Sequence, residues 1–151
     1  MPGVVMGMAR HNRPSIMIYG GTINIGYSKL LRKPINISTC FEAAGAYAYD
    51  TLRQPDDGGD TSKTKDEIMD DLEQHACPSA GACGGMFTAN TMATAIESMG
   101  LSLPGSSSTP ASSPSKMREC VRVADAIKIC LEKNIRPRDL LTKRSFENAL
   151  V

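Results

Sequence analysis

A five-residue apolar run followed by a glycine pair is the feature that most limits how this chain can fold. Residues 15–19 (SIMIY) predict a buried strand, which the turn signal of Gly20 and Gly21 closes. In α/β folds such a glycine pair brings the backbone close to a ligand, although an ordinary tight turn explains it equally well. A buried strand must be covered on both faces, and most of the remaining chain reads as helix. We therefore expect an α/β fold.

Helix start signals lie on both sides of this strand. Pro2 in a first turn, with apolar residues after it, predicts a helix that ends before Pro14. The polar residues 54–63 (QPDDGGDTSK) predict an exposed loop. Capping boxes, in which Glu follows Thr by three positions, predict a helix before and a helix after this loop; they pair Thr39 with Glu42 and Thr64 with Glu67.

Two more helical patterns follow. Residues 86–99 predict a helix with Gly100 as its C-terminal stop, and Ser113 opens another after a Ser/Pro/Gly loop. The simplest interpretation of Cys120 and Cys130 is that they are core residues of this second helix. Its apolar stripe at helical spacing consists of Met117, Cys120, Val121, Ala124, Ile127 and Leu131.

A last helical pattern begins near Thr142 and is still running at Val151, without any C-cap signal. With a single convincing strand and several helices, the chain cannot cover its own sheet. We therefore infer that it is part of a larger α/β protein.

Composition limits the classes of function. The chain has 151 residues, 41% of them hydrophobic and 22% charged, as expected for one soluble globular domain. The net charge of +1 predicts no nucleic-acid partner, and no apolar run approaches the roughly 18 residues that cross a membrane. No targeting peptide is visible. Five cysteines, an odd number, argue against a disulfide framework and for a reducing compartment.

The segment HACPSAGACGGM, residues 75–86, is the strongest candidate for a chemical site. Cys83 precedes Gly84, Gly85 and the predicted helix at Met86, and a helix N-terminus stabilises a nearby anion by about 0.3–1 kcal/mol. Such a position lowers the pKa of a thiol, and the thiolate is the form that binds metal. The glycines leave room for a bulky inorganic ligand.

Four interpretations of the two cysteines remain open at this point. A zinc site normally needs four close ligands, and this segment offers Cys77, Cys83 and His75. A dithiol redox motif needs the closer spacing of C-x-x-C. The third interpretation is a structural pair of buried cysteines. The fourth is an iron–sulfur ligand whose partners lie elsewhere in a longer chain.

The stretch ACPSAGACGGMFTANTMATAIESMGLSLPGSSSTPA closely resembles the signature of dihydroxy-acid dehydratases, within the larger family that includes sugar-acid dehydratases. The stretches MPGVVMGMARHNRPSIMIYGGTI and PRDLLTKRSFENA also resemble that family. The resemblance implies a lyase of valine and isoleucine biosynthesis, which removes water from a 2,3-dihydroxy-3-methyl acid to leave a 2-oxo acid. It also implies that residues 1–151 are a partial N-terminal iron–sulfur and substrate domain, from a three-layer α/β/α arrangement with a mostly parallel sheet, and that the C-terminal domain is absent.

The resemblance implies two cofactors: a [2Fe–2S] cluster, with [4Fe–4S] as the alternative, and Mg²⁺. Cys83 is the cluster ligand by this resemblance, and Cys77 is the second choice. Gly84, Gly85 and Met86 are expected to line the substrate pocket, and Thr88 and Asn90 to supply polar groups around it.

The chain departs from the family pattern in several places. The Cys-Asp-Lys triplet, which supplies a cluster ligand and magnesium ligands, should stand just before Met1, and the catalytic serine belongs to the absent half. Ser79 replaces a usual glycine. The acidic residues Asp56, Asp57 and Asp60 are too clustered to be credited with the magnesium site. We assign no catalytic residue, and we expect these residues alone to be inactive.

The resemblance also implies a small-molecule dihydroxy acid as substrate and a homodimer for the whole enzyme. The compartment would be the mitochondrial matrix in a eukaryote and the cytoplasm otherwise. The alternatives are a sugar-acid dehydratase of the same superfamily and a non-catalytic, truncated paralogue that binds a partner.

Overall fold

The structure is a computed structural model that describes residues 1–53, 63–87 and 89–151. In these ranges it contains a two-stranded antiparallel sheet and helices that occupy most of the chain. The sheet pairs β1 (Gly26–Ser28) with β2 (Lys33–Ile35). The helices are α1 (Pro2–His11), α2 (Ile37–Ala48), α3 (Lys65–His75), α4 (Ala89–Ser98), α5 (Pro114–Glu132), α6 (Pro137–Leu140) and α7 (Lys143–Leu150).

The first and third helices confirm the sequence predictions. Helix α1 starts at Pro2 and ends at His11; its C-cap is Asn12, whose left-handed backbone (φ 48°) lets its N–H close the last turn on the Met8 carbonyl. At the start of α3, Thr64 and Glu67 form the predicted capping box, with reciprocal N–H···O bonds of 3.2 and 2.9 Å. The loop predicted at residues 54–63, including Asp56, Asp57 and Asp60, lies outside the described residues up to position 62.

Helix α2 begins earlier than the sequence analysis placed it. Its cap is Asn36, whose side chain accepts a 3.1 Å hydrogen bond from the Thr39 N–H, so the predicted box of Thr39 with Glu42 is wrong. The reason is that β2 ends at Ile35, and Asn36 is an equally good cap that comes first along the chain.

Helix α4 begins later than expected, at Ala89 rather than at Met86. Met86 has a left-handed backbone (φ 58°), which is incompatible with a right-handed helix at that position. The predicted stop at Gly100 is confirmed, since this residue adopts φ 81°.

The strand predicted at residues 15–19 is extended but forms no ladder with another strand in the described ranges. The N–H of Met17 donates to the Leu101 carbonyl at 2.8 Å, and the N–H of Tyr19 donates to Ser106 Oγ at 3.4 Å. Parallel pairing is limited to isolated bridges from Thr22 to Ala82 and Pro110. The described part of the chain is therefore mixed α and β, without the expected parallel sheet.

Glycines allow three backbone segments to meet at these bridges. A Cβ on Gly21 would stand 2.6 Å from the Ala111 backbone, and one on Gly81 would stand 2.2 Å from the Thr22 carbonyl oxygen. Both residues also have positive φ, at 105° and 137°. The second glycine of the pair at positions 20 and 21 thus permits close contact between backbones.

Apolar side chains form two separate core clusters. One joins the β hairpin to α2 and α3 and is formed by Leu31, Ile35, Ala43, Leu52, Ile68, Leu72 and Ala76. The other joins α1 to α4 and consists of Val5, Ile96, Met99 and Leu101, with residues of α6 and α7 packed against it. No helix in the described residues is both long enough and apolar enough to cross a membrane.

The core role predicted for the α5 stripe is wrong. Met117, Val121 and Leu131 are 62–70% exposed, Cys120 is exposed and Cys130 is half-buried. The buried residues of α5 are instead charged: Lys116 Nζ binds Glu119 Oε2 at 2.6 Å and the Ser106 carbonyl at 2.9 Å. Lys116 faces the loop at residues 102–113, called the Ser-rich loop below. The described residues place nothing over the apolar face of α5.

We expect Gly81→Ala to lower the free energy of unfolding by about 3 kcal/mol, because the added Cβ collides with the backbone at a positive φ. The matched control is Gly7→Ala in α1, where nothing lies within 4 Å of the added carbon. This change should stabilise by about 0.5–1 kcal/mol. Urea denaturation of both variants measures the difference, and equal midpoints would contradict the proposed close approach.

Candidate functional site

Cys83 lies next to the place where the backbone segments around Thr22, Ala82 and Pro110 are bridged. The Ile23 N–H donates to the Ala82 carbonyl at 2.9 Å, and the Ala82 N–H donates to the Gly21 carbonyl at 2.9 Å. Cys83 follows directly after this pair of bonds. The residue before Cys83 is therefore held by backbone hydrogen bonds to a segment about sixty residues away along the chain.

The Cys83 side chain is exposed and opens on a concavity of about 80 Å³, which it lines with Phe87, Ala89 and Asn90. The Gly85 N–H donates to Cys83 Sγ at 3.4 Å. The thiolate is the form of cysteine that binds metal. Cys83 thus has the access and the hydrogen bond that a metal ligand requires.

The prediction that a helix begins at Met86, just after Cys83, is wrong. Because α4 begins at Ala89, Cys83 does not stand directly at the helix N-terminus, and the dipole effect decreases within one turn. The first residues of α4 nevertheless line the same concavity as the sulfur. The Gly85 N–H, not the helix end, is the group that contacts Sγ.

Cys77 lies in a different environment. It is exposed, and its neighbour is Cys40 on α2: burial raises the pKa of the Cys40 thiol, and the nearby Cys77 and Glu73 raise it further. Cys77 does not line the Cys83 concavity. The two predicted ligands, Cys77 and Cys83, therefore lie in different surroundings.

Within the described part of the chain, Cys77, Cys83 and His75 do not come together as a zinc site would require. His75 is held by its own helix, with Nδ1 at 2.8 Å from the Asp71 carbonyl and 3.3 Å from Asp71 Oδ1. In residues 1–53, 63–87 and 89–151, no three His, Cys, Asp or Glu side chains lie close enough together to hold a metal ion.

A second cavity, of about 260 Å³, lies next to the cysteine loop. Gly84 and Met86, both predicted to line the substrate pocket, are on its wall. Gly85 is not; a Cβ there would contact the Phe87 ring at 3.0 Å. Thr88 lies outside the described residues. The polar side chains around the cavity are all uncharged: Thr22, Asn24, Asn36, Asn90, Ser107 and Ser108.

The Ser-rich loop contributes groups that the sequence analysis did not assign to the site, namely Ser107 and Ser108. Glu97 fixes this loop, because its two carboxylate oxygens accept the N–H groups of Gly105 (2.7 Å) and Ser107 (2.9 Å). Burial raises the pKa of Glu97. These backbone hydrogen bonds and the charge of Lys116 lower it by more, so the pKa lies below its ordinary value. The run of Ser and Gly was the available signal for such a loop.

Asn90 connects the two cavities, since its side chain lines both. It is 2% exposed, and Oδ1 accepts a 2.6 Å hydrogen bond from the Tyr19 hydroxyl. The extended segment at residues 15–19 thus delivers a tyrosine to the first turn of α4. Asn90 is the best-buried polar residue on either wall.

The family model described as dihydroxy-acid/6-phosphogluconate dehydratase N-terminal matches residues 1–151. The chain belongs to this family. The resemblance inferred from the cysteine segment is therefore confirmed, and it extends over the whole of the sequence.

Curated relatives agree with this family. A dihydroxy-acid dehydratase of Flavobacterium psychrophilum is 49% identical over 99% of this chain, and the mitochondrial dihydroxy-acid dehydratase of Saccharomyces cerevisiae is 47% identical over 99%. A dihydroxy-acid dehydratase of Francisella tularensis subsp. novicida is 48% identical over 100%. The chain spans 24% of the length of each of these relatives.

We expect Glu97→Gln to destabilise the protein by about 1 kcal/mol at neutral pH, because an amide cannot accept both N–H groups and the site is partly exposed. The pKa of Glu97 is lowered in the folded protein. The carboxylate therefore stabilises the fold fully above pH 4.5, its ordinary pKa, and this stabilisation is lost as the pH falls through the lower pKa of the folded state. The difference between wild type and variant should therefore vanish on acidification. Urea midpoints measured from pH 7 to pH 3 check this, and a constant difference would contradict it.

Proposed function

We propose that this chain is the part of a dihydroxy-acid dehydratase that supplies Cys83 as a ligand of an iron–sulfur cluster. The reaction is the loss of water from a 2,3-dihydroxy-3-methyl acid: the C2 proton and the C3 hydroxyl leave, and the resulting enol becomes a 2-oxo acid. The observation that carries the proposal is an exposed thiol with a backbone N–H on its sulfur, within a chain of this family.

The residues around Cys83 fit such a group in three respects. The thiol is accessible, Gly84 leaves open space within 4 Å, and the sulfur already accepts a hydrogen bond. A bound cluster supplies an electrophilic iron for the departing hydroxyl group. We favour [2Fe–2S], with [4Fe–4S] as the alternative, and assign the remaining cluster ligands and all Mg²⁺ ligands to residues outside those described.

The uncharged cavity beside Cys83 supports a small dihydroxy acid as substrate. Its hydroxyl and amide side chains can donate to and accept from hydroxyl and carboxylate oxygens. In the described residues no Lys or Arg lines this cavity, whereas a phosphate group calls for cationic partners. This observation favours the dihydroxy acid over a phosphorylated substrate of the alternative, a sugar-acid dehydratase of the same superfamily.

A non-catalytic protein that binds a partner is the second candidate. The exposed apolar stripe of α5 favours it, because Met117, Val121 and Leu131 form a face that soluble proteins usually cover. The two candidates differ in one measurable property, which is whether the protein holds iron through Cys83.

For the cellular context we propose branched-chain amino-acid biosynthesis by a homodimer in a reducing compartment. All five cysteines are free, as a cluster-binding protein in such a compartment requires. The compartment is the mitochondrial matrix in a eukaryote, in line with the name of the Saccharomyces cerevisiae relative, and the cytoplasm otherwise.

Cys83→Ser should remove most of the iron and the visible absorption of the protein purified without oxygen from its natural gene, because a cluster ligand is lost. Cys120→Ser is the matched control, since Cys120 is an exposed thiol on α5. Cys77→Ser tests the second-choice ligand and should keep the iron. Iron analysis and absorption spectra decide the matter. Full iron content in Cys83→Ser would refute the proposal.

Residues 1–151 produced alone should form no 2-oxo acid from a 2,3-dihydroxy-3-methyl acid, even after incubation with iron, sulfide and Mg²⁺. The reason is that their described part gathers no set of three metal-binding side chains. The assay is derivatisation of the oxo product, with a Cys83→Ala polypeptide as control. Turnover above that control would overturn the expectation.

A further inference from the structure

The Asn90 side chain has one satisfied and one unsatisfied end. Oδ1 accepts from the Tyr19 hydroxyl, whereas Nδ2 is buried and has no hydrogen-bond partner in the described part of the chain. An unpaired buried donor costs about 1–3 kcal/mol, so a native protein normally supplies an acceptor. An acceptor that packs or binds beside Asn90, from outside the described residues, would pair this donor.

Tyr19 determines which end of the amide is left unpaired. The Tyr19 hydroxyl donates to Asn90 Oδ1 at 2.6 Å, and burial raises the pKa of Tyr19, which keeps this proton in place. A donating hydroxyl requires the amide oxygen to face it, and the NH₂ group is thereby directed away from Tyr19. The orientation of Asn90 is therefore built into the fold and does not need a ligand.

The smaller concavity indicates where the acceptor lies. Besides Asn90 it is lined by Cys83, Phe87 and Ala89, and the last two side chains carry no acceptor atom. A group bound to Cys83 Sγ would occupy this space, within reach of the amide. Sulfur atoms of a metal–sulfur group are electron-rich acceptors, and hydrogen bonds to them raise its reduction potential.

On the basis of the proposed function, we propose that Asn90 is a positioning residue whose Nδ2 donates a hydrogen bond to a sulfur of the iron–sulfur group held by Cys83, with Tyr19 fixing the amide. The bond compensates the buried donor and retains the group. Outer hydrogen bonds of this kind typically change metal affinity about 10- to 100-fold.

The test uses the whole protein with its iron in place. Asn90→Leu removes the donor at similar volume, and Asn90→Asp keeps an acceptor for Tyr19 while it removes the donor. Both should shift the midpoint potential to more negative values and speed iron release to a chelator about 10-fold or more. Tyr19→Phe should produce a smaller shift in the same direction, because the amide is then free to turn.

Asn148→Leu on α7 and Tyr49→Phe, both at exposed positions, are the matched controls and should leave the potential unchanged. If Asn90→Leu does not fold, as judged by circular dichroism, the Asp and Phe variants decide the outcome. Wild-type potential and iron release in these variants, with only a raised KM, would overturn the inference and assign the acceptor to the substrate. Iron retained in Cys83→Ser would instead refute the proposed function, so the two failures are distinguishable.

Discussion

The close approach of three backbone segments at Thr22 is the constraint on which the candidate site depends. Gly21 and Gly81 adopt positive φ and leave no room for a Cβ, so the bridges to Ala82 and Pro110 can form. These bridges are the nearest fixed point to Cys83. Together with the 2.8 Å hydrogen bond from the Asn24 N–H to Ser79 Oγ, they tie the glycine-rich cysteine loop to the rest of the fold and give the Cys83 thiol a defined position.

A polar network holds the other wall of the site. Lys116 and Glu119 are buried, and a buried pair is retained only where its charges are well paired. Lys116 binds the Ser106 carbonyl, and its Nζ also lies 5.9 Å from the Tyr19 ring. The network therefore extends from α5 through the Ser-rich loop to the tyrosine that orients Asn90. Helix α5 contributes to the site through charge, although its sequence suggested an apolar contribution.

Local signals were readable from the sequence, and pairings between distant segments were not. The ends of α1 and the box at Thr64 were predicted because caps depend on residues three or four positions apart. The strand at residues 15–19 failed because a strand needs a neighbour, and its hydrogen bonds go to Leu101 and Ser106 instead. Cys83 was selected by its predicted position before a helix and by motif resemblance, and the structure places the helix further along the chain. Asn90 was named only as one of several polar groups, since its unpaired amide depends on Tyr19, 71 residues away.

The exposed stripe of α5 and the open concavity at Cys83 follow from the same physical rule. An amphipathic pattern specifies that a face will be covered and leaves open what covers it. A thiol with an N–H donor, beside a buried amide without an acceptor, likewise specifies an electron-rich group without containing it. In the described residues, the exposed apolar face and the unpaired amide each cost free energy of folding. Under the proposed function, further residues of the parent protein would cover the stripe, and a sulfur-containing group in the concavity would accept the amide hydrogen bond, which would remove that cost at each place.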